Sequence, residues 1–554
     1  MTADAVVVGS GPGGASVADV LTRLGWTVVL VEKGRNHLLD PAAPSGLAAA
    51  FSNDEIKFVH RHFLGPDPWL EPRTFRTHPS DGDRVHVGDV NNVPSTVGGG
   101  GTHADGKVPR FREDDFRLLD TLGPMPDAAV ADWPVTYDEL EPFYADVERR
   151  IGVAGQAGAN PFAAWRSGPF PMPPGPPMYG AVLSARAAEE VGWHPYPAPT
   201  AANSVPYDGR PACNNCGFCA GFGCPVHAKG DPVALLRAAH RTGNLELLPD
   251  TMALCIERRG RRATGVTVVG PDGRVRTVGA RHVVVAGGAV ETPRLLLLSG
   301  FEHPLIGRYL MVHVQTIVVG SFPFRFHPER GRAVTCVHDD AIVGDDASRQ
   351  AARQAGLPWV RGGMVEHSAQ PLPVAEALLY PRGEAHTGLM AESPMRDRLW
   401  AFIMQGEDVP QAGNRVDLDP AVRDVHGLPA ARVTYRPHRH ELVASAHHGP
   451  RLAAVLEAMG AASTHVAASP SSDGRHARGS SPVPESRHVM GTARMGTDPA
   501  SSVVDPFGRV HGTDNVVVAD SSVFVTASGY GPTLTLAALA ARAARALGGA
   551  DGPP

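Results

Sequence analysis

The stretch DAVVVGSGPGGASVADVLTRLGWTVVLVEKG, residues 4–34, constrains this chain more than any other. A short apolar strand at 4–8 runs into a glycine turn. An amphipathic helix follows to about Arg23, and a second strand lies in WTVVLVE. This is a β-α-β unit with G-x-G-x-x-G at the strand-to-helix turn. Gly9 permits the tight turn, Gly11 lets the backbone approach a pyrophosphate, and Gly14 allows close helix–strand packing. The helix N-terminus offers unpaired N–H groups and a partial positive charge to phosphates. Glu32, at the end of the second strand, can accept hydrogen bonds from both ribose hydroxyls and would repel a 2′-phosphate. A bound dinucleotide is expected, with NADP disfavoured. The segment leaves FAD and NAD both open.

At 554 residues the chain is too long for one hydrophobic core, so two or more domains are expected. The apolar runs at 281–300 and 515–524 read as further buried parallel strands. One nucleotide-binding domain assembled from distant parts of the chain would explain them. Segments 313–322, 398–406 and 431–436 read as strands with few helices near them, which predicts a second domain built on an antiparallel sheet. Residues 160–178 are too rich in Pro and Gly for regular structure. Residues 466–486 form a long polar loop, read either as an insertion or as a lid.

The formal net charge of -6 argues against a nucleic-acid partner. The basic residues are mostly Arg, the only lysines being Lys33, Lys57, Lys107 and Lys229. The opening MTADAVVVGSG has no basic segment ahead of an apolar one, so no signal peptide is expected. The longest apolar run, LTLAALAARAARAL, is too short and too charged to span a bilayer. A cytoplasmic location and reduced cysteines follow as expectations.

RHVMGTARMG (487–496), VVDPFGRVHGTDNVVVADSSVF (503–524) and GYGPTLTLAALAARAA (529–544) resemble the C-terminal signature of the glucose–methanol–choline (GMC) oxidoreductases. TVGGGGTH (96–103), AGGAVETPRLLLLSG (286–300), IGRYLMVH (306–313) and GNRVDLDP (413–420) match in the same order along nearly the whole chain. The resemblance implies FAD, a two-domain fold, and oxidation of an alcohol with hydride transfer to flavin N5. It places the FAD-binding domain, Rossmann-like and discontinuous, at 1–45, 85–125, 210–310 and 485–554. The substrate domain then takes 46–84, 126–209 and 311–484.

By the same resemblance His488 is the base that takes the alcohol proton, a task suited to an imidazole of ordinary pKa about 6.5. Asp520 matches the flavin-contacting aspartate. Gly531 and Pro532 open the last helix, whose N-terminus, with the N–H of Thr533, would face the flavin N1–C2=O edge. Gly99, Thr102 and His103 belong to the glycine-rich flavin segment. Some sugar-oxidising members join a histidine at the position of His103 covalently to flavin, but the residues around it differ here and a non-covalent histidine is expected. One departure stands out. The family usually carries Asn or His where this chain has Gly531, so Tyr530 or a residue of the substrate domain would have to help hold the substrate oxygen.

Cys213, Cys216, Cys219 and Cys224 form C-x2-C-x2-C-x4-C-P. They are candidate iron–sulfur ligands; a packed thiol loop beside the flavin is the competing reading, and structural zinc fits the spacing poorly. The function expected is FAD-dependent oxidation of a CH–OH group on an alcohol or sugar-like donor, with the electron acceptor and the particular substrate open. The glycine at 531 motivates two alternatives: a non-oxidative flavin enzyme of lyase or decarboxylase type, or a flavin-binding protein that has lost catalysis.

Overall fold

The computed structural model describes residues 2–36, 71–82, 86–88, 90, 93–217, 219–220, 223–328, 330–368, 383–393, 397–469, 486–550 and 554. The first strand, Ala3–Val8, pairs in parallel with Val28–Val31 on one side and with the end of Val275–Val285 on the other. Leu245–Leu248 and Val516–Val518 extend the sheet in parallel at either edge. Strands from three distant stretches of chain therefore build one Rossmann-like sheet, as the apolar runs at both ends predict. The start of Val275–Val285 leaves this sheet and pairs in an antiparallel meander with Arg262–Val269 and Met252–Arg259.

The helices Pro12–Arg23, Pro232–Arg241, Tyr137–Ile151 and Thr533–Leu547 pack together beside this sheet. Tyr137–Ile151 shares one apolar core with the sheet, and its Tyr144 hydroxyl meets Thr535 Oγ1 at 2.7 Å. Two readings are corrected here. The run 281–300 is strand only to Val285: Gly288, at φ +81, breaks it, and Gly288–Leu298 is a helix. In 515–524 the strand is Val516–Val518, and a 3-10 turn, Ser521–Val523, comes after it.

The second sheet is antiparallel throughout, in the order Ser463–Ser469, Val314–Ser321, Leu399–Gly406, Val365–Ser368, Cys336–His338, Tyr196–Pro197. Alternation along Val314–Ser321 buries Thr316 and Val318 on one face and turns Gln315 and Ile317 to the other. The sequence reading expects few helices near these strands, but two cover the first face. Arg439–Ala458 and Tyr179–Glu190 cover it over a core of Trp400, Phe402, Met404 and Leu456. The 431–436 segment joins a separate sheet, in which Pro429–Thr434 pairs with Arg415–Arg423 and Arg73–Arg76. Ser463–Ser469 takes the first residues of the stretch read as a loop from 466; positions 470–485 lie outside the described residues. Residues 160–178 hold no helix and no strand, as expected. Among the described residues no helix is long and apolar enough to cross a membrane.

A Cβ at Gly14 would lie 1.9 Å from the Gly9 carbonyl oxygen, a contact only backbone movement could relieve. Gly14→Ala is expected to cost at least about 2 kcal/mol, read as a lower urea midpoint. Gly413→Ala, with nothing within 4 Å of its Cβ, is expected to leave the midpoint unchanged.

Candidate active site

A cavity of about 610 Å³ runs from the first glycine turn to the antiparallel sheet. Its walls include Gly9, Gly11, Glu32, Gly99, His103, His488, Asp520, Pro532 and Thr533. Sequence positions chosen from the two ends of the chain therefore meet around one space. Gly14, Thr102 and Gly531 are not among the lining residues, nor are the four cysteines, although Ala220 is.

Glycine shapes the dinucleotide end. Gly9 sits at φ +100, and a Cβ there would lie 2.3 Å from the Ala286 carbonyl oxygen. A Cβ at Gly13 would lie 1.9 Å from the Ala519 carbonyl oxygen. At Gly11, which lines the cavity, a Cβ would meet nothing within 4 Å. Gly99 backs onto it, its own Cβ position 3.1 Å from Gly11 Cα. The Glu32 carboxylate accepts from Ser10 N at 2.9 Å, Ser10 Oγ at 2.6 Å and Gly34 N at 2.8 Å. Burial raises its pKa, and these hydrogen bonds pull the other way. Both Ser10 bonds fall on Oε2 and the Gly34 bond on Oε1, so one lone pair, on Oε1, is left for a further donor. Ser10 Oγ in turn accepts from Gly98 N at 2.9 Å, tying the first turn to the short helix Gly99–His103.

Asp520 both caps and lines. Its Oδ1 accepts from Ser522 N at 2.8 Å, and its Oδ2 accepts from Gly288 N at 2.9 Å and Thr292 Oγ1 at 2.5 Å. Pro532 precedes the helix Thr533–Leu547, so the Thr533 N–H has no acceptor within the helix. Lys229 reaches the other side of the cofactor wall. Its ammonium donates to the carbonyls of Thr102 at 2.6 Å, Ala104 at 2.8 Å and Cys219 at 3.2 Å. This bond set fastens the cysteine loop to the helix that carries His103. Burial pushes the Cys219 thiol up to about 11, and among the described residues no three His, Cys, Asp or Glu side chains are grouped to hold a metal ion.

At the far end His488 turns one edge of its ring to the cavity. His488 Nδ1 lies 2.9 Å from His313 Nδ1, with the rings edge-on at 88°. Burial, His313, Lys107 and Arg487 all hold the His488 pKa well below the usual 6.5. Burial likewise pushes fully enclosed His313 down to about 4, opposed by the carbonyls of Ser528 and Ala527. A Cβ at Gly531 would lie 3.6 Å from His488 Cε1 and 3.8 Å from Nε2, so the missing family side chain would have stood beside that edge. Tyr530 does not replace it: its hydroxyl is buried and donates to Asp339 Oδ2 at 2.7 Å. Instead Lys107, Glu366, Gln405 and Gln315 line the same end. Sequence reasoning missed these four and His313. His313 ends the quoted IGRYLMVH, and only its partner at 488 gives it meaning.

A glycine-lined cradle that opens onto a buried histidine has the form of a dinucleotide-dependent oxidoreductase site. Sequence profiles described as GMC oxidoreductase match residues 180–315 and 410–540, and one described as pyridine nucleotide-disulphide oxidoreductase matches 4–64. The 6'''-hydroxyparomomycin C oxidase of Streptomyces lividus is 30% identical, over 98% of this chain and 91% of its own. The 2-methyl-1,2-propanediol dehydrogenase of Mycolicibacterium austroafricanum is 28% identical, over 98% and 94%. The fructose dehydrogenase large subunit of Gluconobacter japonicus is 27% identical, over 99% and 98%. Formate oxidase of Aspergillus oryzae shares the fold at a TM-score of 0.65 and 16% identity, covering 99% of this chain and 98% of its own. The chain belongs to the GMC oxidoreductase family. It is an FAD-dependent oxidoreductase.

Burial keeps His313, His338, His367, His448 and His488 neutral. Below about pH 6.5 the unfolded chain binds protons that these rings in the folded chain refuse. Stability is therefore expected to fall with pH by up to about 1.4 kcal/mol per unit for each such ring. Urea midpoints measured near pH 7.5, 6.5 and 5.5 check this, the steeper drop being expected over the second interval.

Proposed function

We propose that the chain oxidises the CH–OH group of a small alcohol or sugar-like donor, with His488 taking the hydroxyl proton. The observation that carries this reading is the 2.9 Å contact between His488 Nδ1 and His313 Nδ1. Both rings are neutral, so one nitrogen of the pair donates and the other accepts. The carbonyls of Ser528 and Ala527 favour a proton on His313. His313 Nε2 is buried with no hydrogen bond of its own, and with Nδ1 engaged by His488 the tautomer that this reading requires carries the His313 proton on Nε2. His313 Nδ1 then accepts from His488 Nδ1–H, and His488 Nε2 is left bare on the cavity side. His313 is thus a positioning residue that selects the tautomer of the base.

FAD, held by the glycine cradle, Glu32 and Asp520, would supply the acceptor for the hydride that leaves the alcohol carbon. The N–H of Thr533, at the positive end of its helix, favours negative charge on the side of the ring it faces. His488 takes the hydroxyl proton at Nε2, and the resulting imidazolium keeps its Nδ1–H bond to His313. The names of the relatives, a propanediol dehydrogenase, a fructose dehydrogenase subunit and a hydroxyparomomycin oxidase, support a hydroxyl-bearing substrate. None supports the non-oxidative alternative. For the cysteine loop, the Lys229 tether supports a packed thiol loop bracing the cofactor wall. Iron analysis of anaerobically purified protein tests that, with no stoichiometric iron expected.

His488→Ala is expected to keep FAD bound and to slow anaerobic flavin bleaching by an alcohol about 10²- to 10⁴-fold. Unchanged bleaching would remove His488 from the mechanism. Because the pKa of His488 is depressed, the acid limb of kcat/KM is expected below about pH 6.5. Lys107→Met, which removes a positive charge that acts on that ring, is expected to move the limb upward.

A further inference from the structure

The wall of the cavity beside His488 is a continuous polar ladder. Gln315 Nε2 donates to Gln405 Oε1 at 3.0 Å, and Gln405 Nε2 donates to Glu366 Oε1. The same Glu366 oxygen lies 2.8 Å from Lys107 Nζ, which also donates to Asp105 Oδ2 at 2.9 Å. Gln315 and Gln405 are direct cross-strand partners, so their side chains leave the antiparallel sheet on one face. All five residues line the cavity that His488, Pro532 and Thr533 line.

We propose that this ladder binds the non-reacting end of the substrate, and that the substrate is a polyhydroxylated, uncharged or cationic molecule of the sugar or amino-sugar class. The proposal rests on the alcohol-oxidising reading above and narrows it. Its first ground is hydrogen-bonding capacity. An amide has two donors and two acceptor lone pairs and an ammonium has three donors, so the ladder consumes only part of what its members offer. An aliphatic alcohol would leave that remainder dry and unmatched, at a cost for each group. A polyol satisfies it.

Its second ground is charge. The Lys107 ammonium sits between the carboxylates of Asp105 and Glu366, so these three groups offer an anion no net positive charge, and Arg487, which also lines the cavity and acts on His488, stands outside the ladder. A sugar acid would meet two carboxylates, whereas an amine would be drawn to them. Its third ground is the lysine itself, one of four among 51 basic residues. An ammonium is a compact charge with three N–H donors, so between two carboxylates it keeps one for a third partner. That N–H, and not a side chain at 531, is then available to a substrate oxygen.

The test is anaerobic bleaching of the FAD-loaded protein by glucose, sorbitol, glucosamine, gluconate and 1-octanol, with kcat/KM for each. The neutral and amine-bearing polyols are expected to exceed gluconate and 1-octanol by at least about tenfold, the factor for one satisfied polar contact. In Gln405→Leu the ratio of the best polyol to 1-octanol is expected to fall about tenfold, and in Glu366→Gln the preference for glucosamine over gluconate is expected to shrink by a similar factor. Gln315→Leu, at the partly exposed end of the ladder, serves if the buried variants fail to fold. If gluconate or 1-octanol is the best substrate, or the variants leave these ratios unchanged, the ladder is not the specificity wall while the alcohol-oxidising reading stands. If none of the five bleaches the flavin, that reading falls and the ladder proposal with it.

Discussion

Backbone meeting backbone where no Cβ fits is the constraint on which the rest of this molecule depends. Gly9 lies against the Ala286 carbonyl, Gly13 against the Ala519 carbonyl, and Gly14 against Gly9 itself. These contacts draw the first turn, the strand that ends at Val285 and the strand that ends at Val518 to a common point. Each strand delivers a site residue just past its end: Glu32 beyond the second, Gly288 beyond the long one, Asp520 beyond the last. The bond from Gly288 N to Asp520 Oδ2 then closes the group. Segments hundreds of residues apart are adjacent because glycine removes the atoms that would hold them apart.

The opposite wall obeys a different logic. There an antiparallel sheet sets side chains at alternate positions, a largely apolar set under Arg439–Ala458 and, over the cavity, Gln315 and Gln405 beside Ile317 and Ile403. Burying ammonium and carboxylate side by side is tolerable because each satisfies the other. The two histidines sit between these regimes. They are low in charge, close together, and dependent on each other for which nitrogen carries the proton.

What the sequence revealed divides along the same line. The dinucleotide cradle was legible because its glycines, its helix and Glu32 are contiguous and each has a local reason to be there. Asp520, Pro532 and His488 were legible because they sit in recognisable C-terminal stretches. The ladder was not: Lys107 and Glu366 acquire meaning only once the sheet folds over the first domain, and no local pattern marks either. The leucines of Gly288–Leu298 read as strand because a short apolar run carries no period of its own. Arg439–Ala458 escaped notice because paired histidines, a glycine and Pro450 interrupt its helical pattern.

The helix Gly99–His103 has five residues, three of them glycine, a composition that would not hold a helical turn in isolation. Its shape is kept for it by others, by Ser10 at one end and by the Lys229 ammonium at the other. The part of the cofactor wall that is weakest by itself thus takes its form from a hydroxyl in the first turn and a cation behind the cysteine loop. In engineering terms the wall is a thin panel hung from two brackets. Its tolerance to change would be decided at the brackets, neither of which belongs to the panel.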